Sequence, residues 1–183
     1  VVAIKNGIIR STSQSPIIPI LIENRKSLSS QTMDLVVNCN KSCTVFINGN
    51  DPQFGKKLKF QNDIPNEFLL YAGDYQIQTK GNVILLNTNL KETEISIISD
   101  EIDRIRSFYN EKLGIPYNTK VILPQIFTIG PKNQYTEWGF TVSPTILLDY
   151  NKFSKKIDLQ NKTVDNDFSC LIAHEMAHKY FGG

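Results

Sequence analysis

The stretch ISIISDEIDRIRSFYNEKLGIPY, residues 95–117, decides how the fold is organised, because the spacing of its apolar residues changes there from that of strands to that of a helix. The residues that recur on one helical face are Ile102, Ile105, Phe108 and Tyr109. Ser99 or Asp100 is expected to cap this helix, and Gly114 and Pro116 are expected to end it. The stretch therefore predicts one amphipathic helix.

Upstream of this helix the chain carries short apolar runs separated by turn residues. The runs include IIPILI, MDLVVN, TVFIN, FLLY, YQIQ and NVILL, and the turns between them are NGND, AGD and KGN. Asn-Gly and Ala-Gly-Asp between β-rich runs are hairpin signals. The sequence therefore predicts antiparallel strands, in a small sandwich-like or meander-like domain, over residues 1–95.

Downstream of the helix the strand-like runs KVILPQIF and WGFTVSPTILLDY are separated by the loop TIGPKNQYTE. The last apolar segment has helical spacing from about Val164, with Thr163 or Asp165 as its cap and Gly182 and Gly183 at its end. A mixed α/β unit is therefore expected over residues 96–183. Together the two parts predict the α+β class, with a domain boundary near residue 95.

Bulk properties exclude some function classes. The chain has 183 residues, a net charge of +2 and charges of both signs interspersed, so no nucleic-acid surface is predicted. Its apolar runs are strand-sized, so no membrane span is predicted either.

The three cysteines leave one question open. Cys39 and Cys43 flank Asn-Lys-Ser, and a turn there could bring them to disulfide distance, or both could be unpaired strand residues. A zinc site at this pair is not expected, because the chain has no second pair of Cys or His for it to join. A disulfide would indicate a location outside the cytoplasm. Cys170 is expected to be a small buried side chain.

The last helix carries the residues of a metal site in LIAHEMAHKYFGG, residues 171–183. His174 and His178 lie about one turn apart on one side of a helix, which lets two imidazoles reach one zinc ion. Glu175 lies further round that side, where it can accept a proton from the water that zinc activates. Alternatively, a structural helix carries these residues by chance. The helix is otherwise apolar nearly all round, and buried imidazoles and carboxylates need partners, which favours the metal.

Three segments resemble the aminopeptidase N family of zinc metallopeptidases, which are gluzincins with an HExxH motif. LIAHEMAHKYFGG is similar to the family's zinc-binding helix, which is close to HExAHxWFG, with Tyr180 where tryptophan is usual. RSFYNEKLGIPY is similar to the helix ending in GIPY that opens the family's catalytic domain. YTEWGFTVSPTILLDY is similar to the strand with its GxMENWG segment. The resemblance covers about residues 96–183.

This resemblance implies a thermolysin-like mixed α/β catalytic domain that binds one zinc ion. His174 and His178 would be zinc ligands and Glu175 the general base. The third ligand, a glutamate on the following helix, and the tyrosine that stabilises the oxyanion are expected beyond Gly183. The chain is therefore expected to be the N-terminal fragment of a longer metallopeptidase, inactive by itself.

Two features depart from the family pattern. The family's β domain is usually longer and contains a Phe-Pro-Cys-x-Asp-Glu-Pro signature that is absent here. In addition, aligning Trp138 and Gly139 with the family's Trp-Gly puts Thr136 where the amine-binding glutamate belongs, and Glu137 follows one position later. Either a one-residue bulge turns Glu137 inward, or the amine site is absent and blocked or internal peptides are accepted.

The expected function is hydrolysis of peptide bonds in a peptide or protein substrate by a zinc-dependent peptidase, and the resemblance implies an aminopeptidase. One alternative is an endopeptidase-type gluzincin without the amine-anchoring glutamate. Another is that the isolated chain acts as a non-catalytic β-rich binding or scaffolding module. The possible disulfide favours a secreted or cell-envelope location.

Overall fold

The computed structural model describes residues 3–5, 7–11, 22–23, 26–27, 30–47, 50–65, 69–87, 90–118, 120–124, 139–142, 145–148 and 153–181. These residues form strands and two α-helices in two compact units, Val1–Gln76 and Ile77–Gly183. The α+β class predicted from the sequence is confirmed.

The first unit is built from strands. They are β1 Ala3–Lys5, β2 Ile8–Ser11, β3 Ile22–Glu23, β4 Lys26–Ser27, β5 Ser30–Ile47, β6 Gln53–Pro65 and β7 Leu70–Gly73. A five-stranded sheet has the order β1-β2-β7-β5-β6, and its neighbouring strands are antiparallel. Strands β3 and β4 form a separate antiparallel pair. The predicted antiparallel pairing is therefore confirmed, whereas the sandwich stays a prediction.

Strand β5 shows why this sequence forms a sheet. From Asp34 to Asn40 its side chains alternate between exposed and half-buried, as expected of a strand with one solvated face. The half-buried residues Leu35 and Val37 pack against an apolar cluster on the covered face. The cluster is formed by Val45, Ile47, Leu58, Phe60, Leu70 and Ala72. Strands β5 and β6 form a hairpin, as the Asn-Gly signal predicts.

An irregularity in β5 settles the cysteine question. Cys39 and Cys43 are joined by a disulfide, and their Cα atoms are 6.2 Å apart. The pairing with β6 moves from Asn38–Lys57 to Cys43–Gly55, so β5 uses more residues here than its partner strand. The disulfide therefore closes a bulge within one strand. This is the disulfide that the Asn-Lys-Ser spacing permitted.

The second unit combines strands and helices. Its strands are β8 Gln76–Lys80, β9 Val83–Asn87, β10 Val121–Pro124, β11 Gly139–Val142, β12 Thr145–Leu148, β13 Ile157–Asp158 and β14 Thr163–Val164. Its helices are α1 Glu92–Leu113 and α2 Asn166–Phe181, with a 3-10 turn at Phe153–Lys156. The main sheet has the order β11-β12-β10-β9-β8. Strand β10 is parallel to both β9 and β12, and β11 is antiparallel to β12.

Helix α1 is the crossover between two parallel strands, β9 and β10. The four described side chains from Val83 to Leu86 are buried, as are the four from Val121 to Pro124. Continuous burial is typical of strands covered on both faces. Ile98, Ile102 and Ile105 of α1 belong to the same core cluster as β9, β10, β14 and α2. The core that supports α2 is therefore shared by both helices and the sheet.

Strand pairing explains where the second compact unit begins. The second unit begins at Ile77, because β9 pairs with β10 and β8 is the next strand of that sheet. The domain boundary near residue 95 stays a prediction. The Ala-Gly-Asp turn after Tyr71 is not a hairpin, since β7 and β8 belong to different sheets. The Lys-Gly-Asn turn does join neighbouring strands, β8 and β9.

Helix α1 starts earlier than predicted. Ser99 and Asp100 do not cap it: the cap position is Lys91, whose backbone N–H donates to a Glu94 carboxylate oxygen at 2.7 Å. Ser99 is buried inside the helix. The predicted end is confirmed, because Gly114 follows the last helical residue in the left-handed conformation, with φ of 65°.

The predicted apolar face of α1 is confirmed in most positions. Ile102 and Ile105 are buried, and Tyr109 is half-buried against the core. The predicted burial of Phe108 was wrong, since its side chain is 52% exposed. At 100° per residue Phe108 lies at the edge of the apolar stripe, beyond the reach of the sheet.

Neither helix in the described residues is long and apolar enough to cross a membrane.

Candidate metal centre

Helix α2 begins with a side-chain cap. A carboxylate oxygen of Asp165 accepts a hydrogen bond from the backbone N–H of Phe168 at 2.9 Å. This satisfies one of the free N–H groups of the first turn. The bond, with help from Lys156 at 3.3 Å, holds the pKa of Asp165 below its usual value. Of the two predicted caps Asp165 is therefore the correct one, and Thr163 belongs to β14 instead.

Helix α2 buries one face only. Phe168, Ile172 and Met176 are fully buried at successive spacings of four residues, as expected of a helix face packed on a core. Cys170 is exposed, so its predicted burial was wrong. Phe181 is 66% exposed. A helix with apolar residues nearly all round therefore leaves one face in contact with solvent.

The candidate ligands lie on this exposed face. His174 and His178 are both exposed, and their ring centroids are 5.0 Å apart with the planes at 86°. Ligand atoms of His174, Glu175 and His178 all lie within 4.8 Å of one another. Among the described residues this is the group of three His, Cys, Asp or Glu side chains that could hold a metal ion. The structure thus brings together the three residues that the sequence predicts.

The donor set fits a zinc ion. Two imidazole nitrogens on one tetrahedral zinc ion lie about 3.4 Å apart, since each Zn–N bond is about 2.0–2.1 Å. The limit of 4.8 Å lies within a small side-chain rotation of that separation. Imidazole is a preferred zinc ligand, and the exposure of both rings leaves them accessible to an ion. His174 and His178 can therefore hold zinc from one helix.

Glu175 differs from its neighbours in burial. Its side chain is only 4% exposed, whereas the two flanking histidines are exposed. A buried carboxylate is costly unless other groups compensate its charge. Lys179 lies one turn further along α2, and the negative charge of Glu175 favours the protonated form of Lys179. Glu175 is thus fixed at the inner edge of the site rather than mobile in solvent.

Lys179 is a residue whose importance the sequence reasoning missed. Burial lowers the pKa of the Lys179 ammonium group to about 8, and the charge of Glu175 acts against this shift. The available signal was the spacing, because a glutamate four residues before a lysine is the favourable order on a helix. Lys179 therefore provides positive charge beside the candidate general base.

Helix α1 holds the C-terminal half of α2 by side-chain hydrogen bonds. The Tyr109 hydroxyl donates to the carbonyl oxygen of Ala173 at 3.1 Å. The Tyr180 hydroxyl donates to the Asn110 side-chain oxygen at 2.7 Å. These two contacts lie on either side of His174 and His178 along α2. The ring centroids of Tyr109 and Tyr180 are 5.0 Å apart.

Helix α1 also contacts the first turn of α2. The Ser169 hydroxyl donates to a carboxylate oxygen of Glu101. Arg104 donates two hydrogen bonds to the same carboxylate, at 2.6 and 2.7 Å. These bonds, first that of Arg104 and then that of Ser169, hold the pKa of Glu101 below its usual value. The position of α2 is thus fixed at both ends by α1.

Thr136 and Glu137, the predicted substrate-binding residues, lie outside the described residues, as does Trp138. Strand β11 begins immediately after them, at Gly139, and α2 contacts both β11 and β12. Among the described residues, the strand that follows the predicted substrate segment therefore lies against the helix that carries the histidines. The roles of Thr136 and Glu137 stay predictions.

The chain matches no protein-family model and no curated protein.

Proposed function

We propose that this chain is part of a zinc-dependent peptidase in which α2 supplies two metal ligands and the general base. The observation that carries the proposal is the convergence of ligand atoms of His174, Glu175 and His178 within 4.8 Å, with both imidazoles exposed. The two exposed imidazoles flank a buried glutamate in the H-E-x-x-H order that zinc peptidases use. A third protein ligand is expected beyond Gly183, from the resemblance to aminopeptidase N-like enzymes.

In this proposal the residues of α2 have two roles in peptide hydrolysis, metal binding and proton transfer. When bound, zinc supplies a Lewis acid that polarises the scissile carbonyl and makes water acidic enough to lose a proton near neutral pH. His174 and His178 hold the ion. Glu175 accepts the proton of the water whose oxygen attacks the carbonyl carbon, and then passes that proton to the leaving amine nitrogen. The peptide C–N bond breaks, so a carboxylic acid and an amine are formed and Glu175 returns to its starting state.

The proposed architecture follows the same resemblance. We infer a β-sandwich-like first domain and a thermolysin-like second domain. The parallel crossover β9–α1–β10, the mixed five-stranded sheet and the packing of α1 on α2 support the second inference.

We also propose that the enzyme is an aminopeptidase whose substrate amine is anchored by Glu137. The support is the resemblance of YTEWGFTVSPTILLDY to the family's amine-binding strand and the contact of α2 with β11. A free-amine peptide and its N-acetylated twin distinguish this specificity from that of an endopeptidase. Equal cleavage of both peptides, unchanged by Glu137→Ala, would make the endopeptidase alternative correct.

The test of the zinc proposal measures metal content and hydrolysis in the protein extended beyond Gly183. His174→Ala and His178→Ala should each remove zinc and activity together. Cys170→Ser is the matched control, because Cys170 is exposed on α2 and lies outside the ligand group. It should keep both properties. Full zinc content in either histidine variant would contradict the proposal.

A further inference from the structure

The hydroxyl of Tyr180, which a tryptophan at this position would lack, bonds the last turn of α2 to helix α1. This hydroxyl donates to the Asn110 side-chain oxygen at 2.7 Å, and it also lies 3.4 Å from the Arg106 carbonyl oxygen. The Asn110 oxygen accepts a second bond, from the backbone N–H of Tyr117 at 2.9 Å. Asn110 therefore ties the last turn of α2 to α1 and to the Gly-Ile-Pro-Tyr segment after it.

Tyr109, the residue before Asn110, contacts α2 at the other side of the histidine pair. Its hydroxyl donates to the carbonyl of Ala173, which directly precedes His174. Two consecutive residues of α1 thus bond to α2 just before His174 and just after His178. Such long-range bonds fix the position of a helix more firmly than its internal hydrogen bonds alone.

We propose that Tyr109 and Tyr180 are positioning residues for the metal centre, and that they act by keeping the turn between His174 and His178 ordered against α1. This inference rests on the proposed zinc site. His178 lies in the last turn of α2, which ends at Phe181. Last turns fray, because their carbonyl groups lack partners within the helix. A frayed turn removes His178 from the site, so metal binding must first restore the turn.

The expected loss of zinc affinity follows from the free energy of the hydrogen bonds that are removed. One neutral hydrogen bond shifts the ratio of ordered to frayed turn by about fivefold. Apparent metal affinity falls in proportion to the ordered fraction. Tyr180→Phe should therefore weaken zinc binding by up to about fivefold, the full change being reached where the frayed turn predominates. Tyr109→Phe combined with Tyr180→Phe should weaken it by more than either single variant, and by up to about 25-fold.

Tyr117 provides a matched control inside the same cluster. Its ring centroid lies 5.5 Å from that of Tyr180, but its buried hydroxyl has no hydrogen-bond partner among the described residues. Tyr117→Phe therefore removes an equivalent hydroxyl without removing a bond. Asn110→Asp keeps the acceptor oxygen, whereas Asn110→Leu removes it.

The experiment measures the dissociation constant for zinc by competition with a chromogenic chelator, at a temperature where circular dichroism shows every variant folded. Tyr180→Phe, the double variant and Asn110→Leu should bind zinc more weakly, while Tyr117→Phe and Asn110→Asp should match the wild type. A purely structural role would lower the melting temperature and leave the dissociation constant unchanged. If the double variant does not fold, the two Asn110 variants carry the test.

The outcomes separate this inference from the function on which it rests. If His178→Ala abolishes zinc binding but Tyr180→Phe and Asn110→Leu bind as the wild type does, the positioning role is wrong and the metal site stands. If His174→Ala and His178→Ala both bind zinc as the wild type does, the metal site itself is wrong, and the positioning role with it.

Discussion

Helices α1 and α2 pack against each other in the second unit, yet they use their side chains differently. In α1 the buried residues Ile95, Ile98, Ile102 and Ile105 recur at helical spacing, and two charged residues, Glu94 and Arg106, are buried as well. In α2 apolar residues occur nearly all round, but only one face is buried. The exposed face carries His174 and His178. The apolar face of α1 packs on the core, whereas the exposed face of α2 carries the two candidate ligands.

The largest effect on stability is expected in the packed face of α1. Ile102 is fully buried, so Ile102→Ala should lower the free energy of unfolding by about 2–5 kcal/mol, because it leaves a cavity in the shared core. Phe108→Ala on the same helix should cost far less, since Phe108 is 52% exposed. Urea unfolding of both variants measures the difference. Equal losses would contradict the division of α1 into a buried and an exposed side.

The second comparison is made within α2. Met176 is fully buried and His174 is exposed, so Met176→Ala should cost about 2–4 kcal/mol and His174→Ala about 0.5 kcal/mol or less in metal-free protein. The same unfolding measurement applies, with a chelator present. A large loss from His174→Ala would mean that His174 supports the fold and not a metal ion.

A sequence that is regular in its apolar spacing predicts its structure well, and α1 is the example. Its buried face and its end at Gly114 follow from spacing and from glycine's tolerance of the left-handed conformation. Its start was wrong, because a Lys91 backbone N–H bonded to Glu94 replaces the expected Ser or Asp cap. The placement of β9 in the second unit has a tertiary cause. Apolar spacing cannot show that β9 pairs with a strand on the far side of α1.

The candidate metal centre was predictable for a different reason. The spacing of His174, Glu175 and His178 is local, and a helix alone brings their ligand atoms together. The exposure of Cys170 was not predictable, because which face of a mostly apolar helix meets the core depends on residues far away in sequence. The same is true of Tyr109 and Asn110, which contact α2 from α1.

A moderate effect is expected at the start of α2. Asp165→Ala removes the bond to the Phe168 N–H and should lower the free energy of unfolding by about 1 kcal/mol. Asp165→Asn retains a side-chain oxygen and should keep most of the stability. Thermal unfolding distinguishes the two variants. If Asp165→Ala were neutral, the start of α2 would depend on packing and not on its cap.

The smallest effect concerns pH. The bonds from Arg104 and Ser169 lower the pKa of Glu101 in the folded state below its ordinary value of 4.5. The ionised Glu101 side chain therefore stabilises the folded state. This stabilisation is complete above pH 4.5 and is lost as the pH falls through the folded-state pKa of Glu101. Glu101→Gln should make unfolding less dependent on acid in that range. Exposed Glu92→Gln in the same helix controls for the change in charge. An unchanged acid dependence in Glu101→Gln would contradict this account.

The central claim, that the exposed face of α2 is a hydrolytic zinc site, is tested most directly by Glu175→Gln in the protein extended beyond Gly183. Zinc content and the rate of peptide hydrolysis are measured on the same samples. The account predicts unchanged zinc with a rate lowered by roughly 10²-fold or more, because the general base is lost while the ligands remain. Unchanged hydrolysis, or loss of zinc together with activity, would contradict the role given to Glu175.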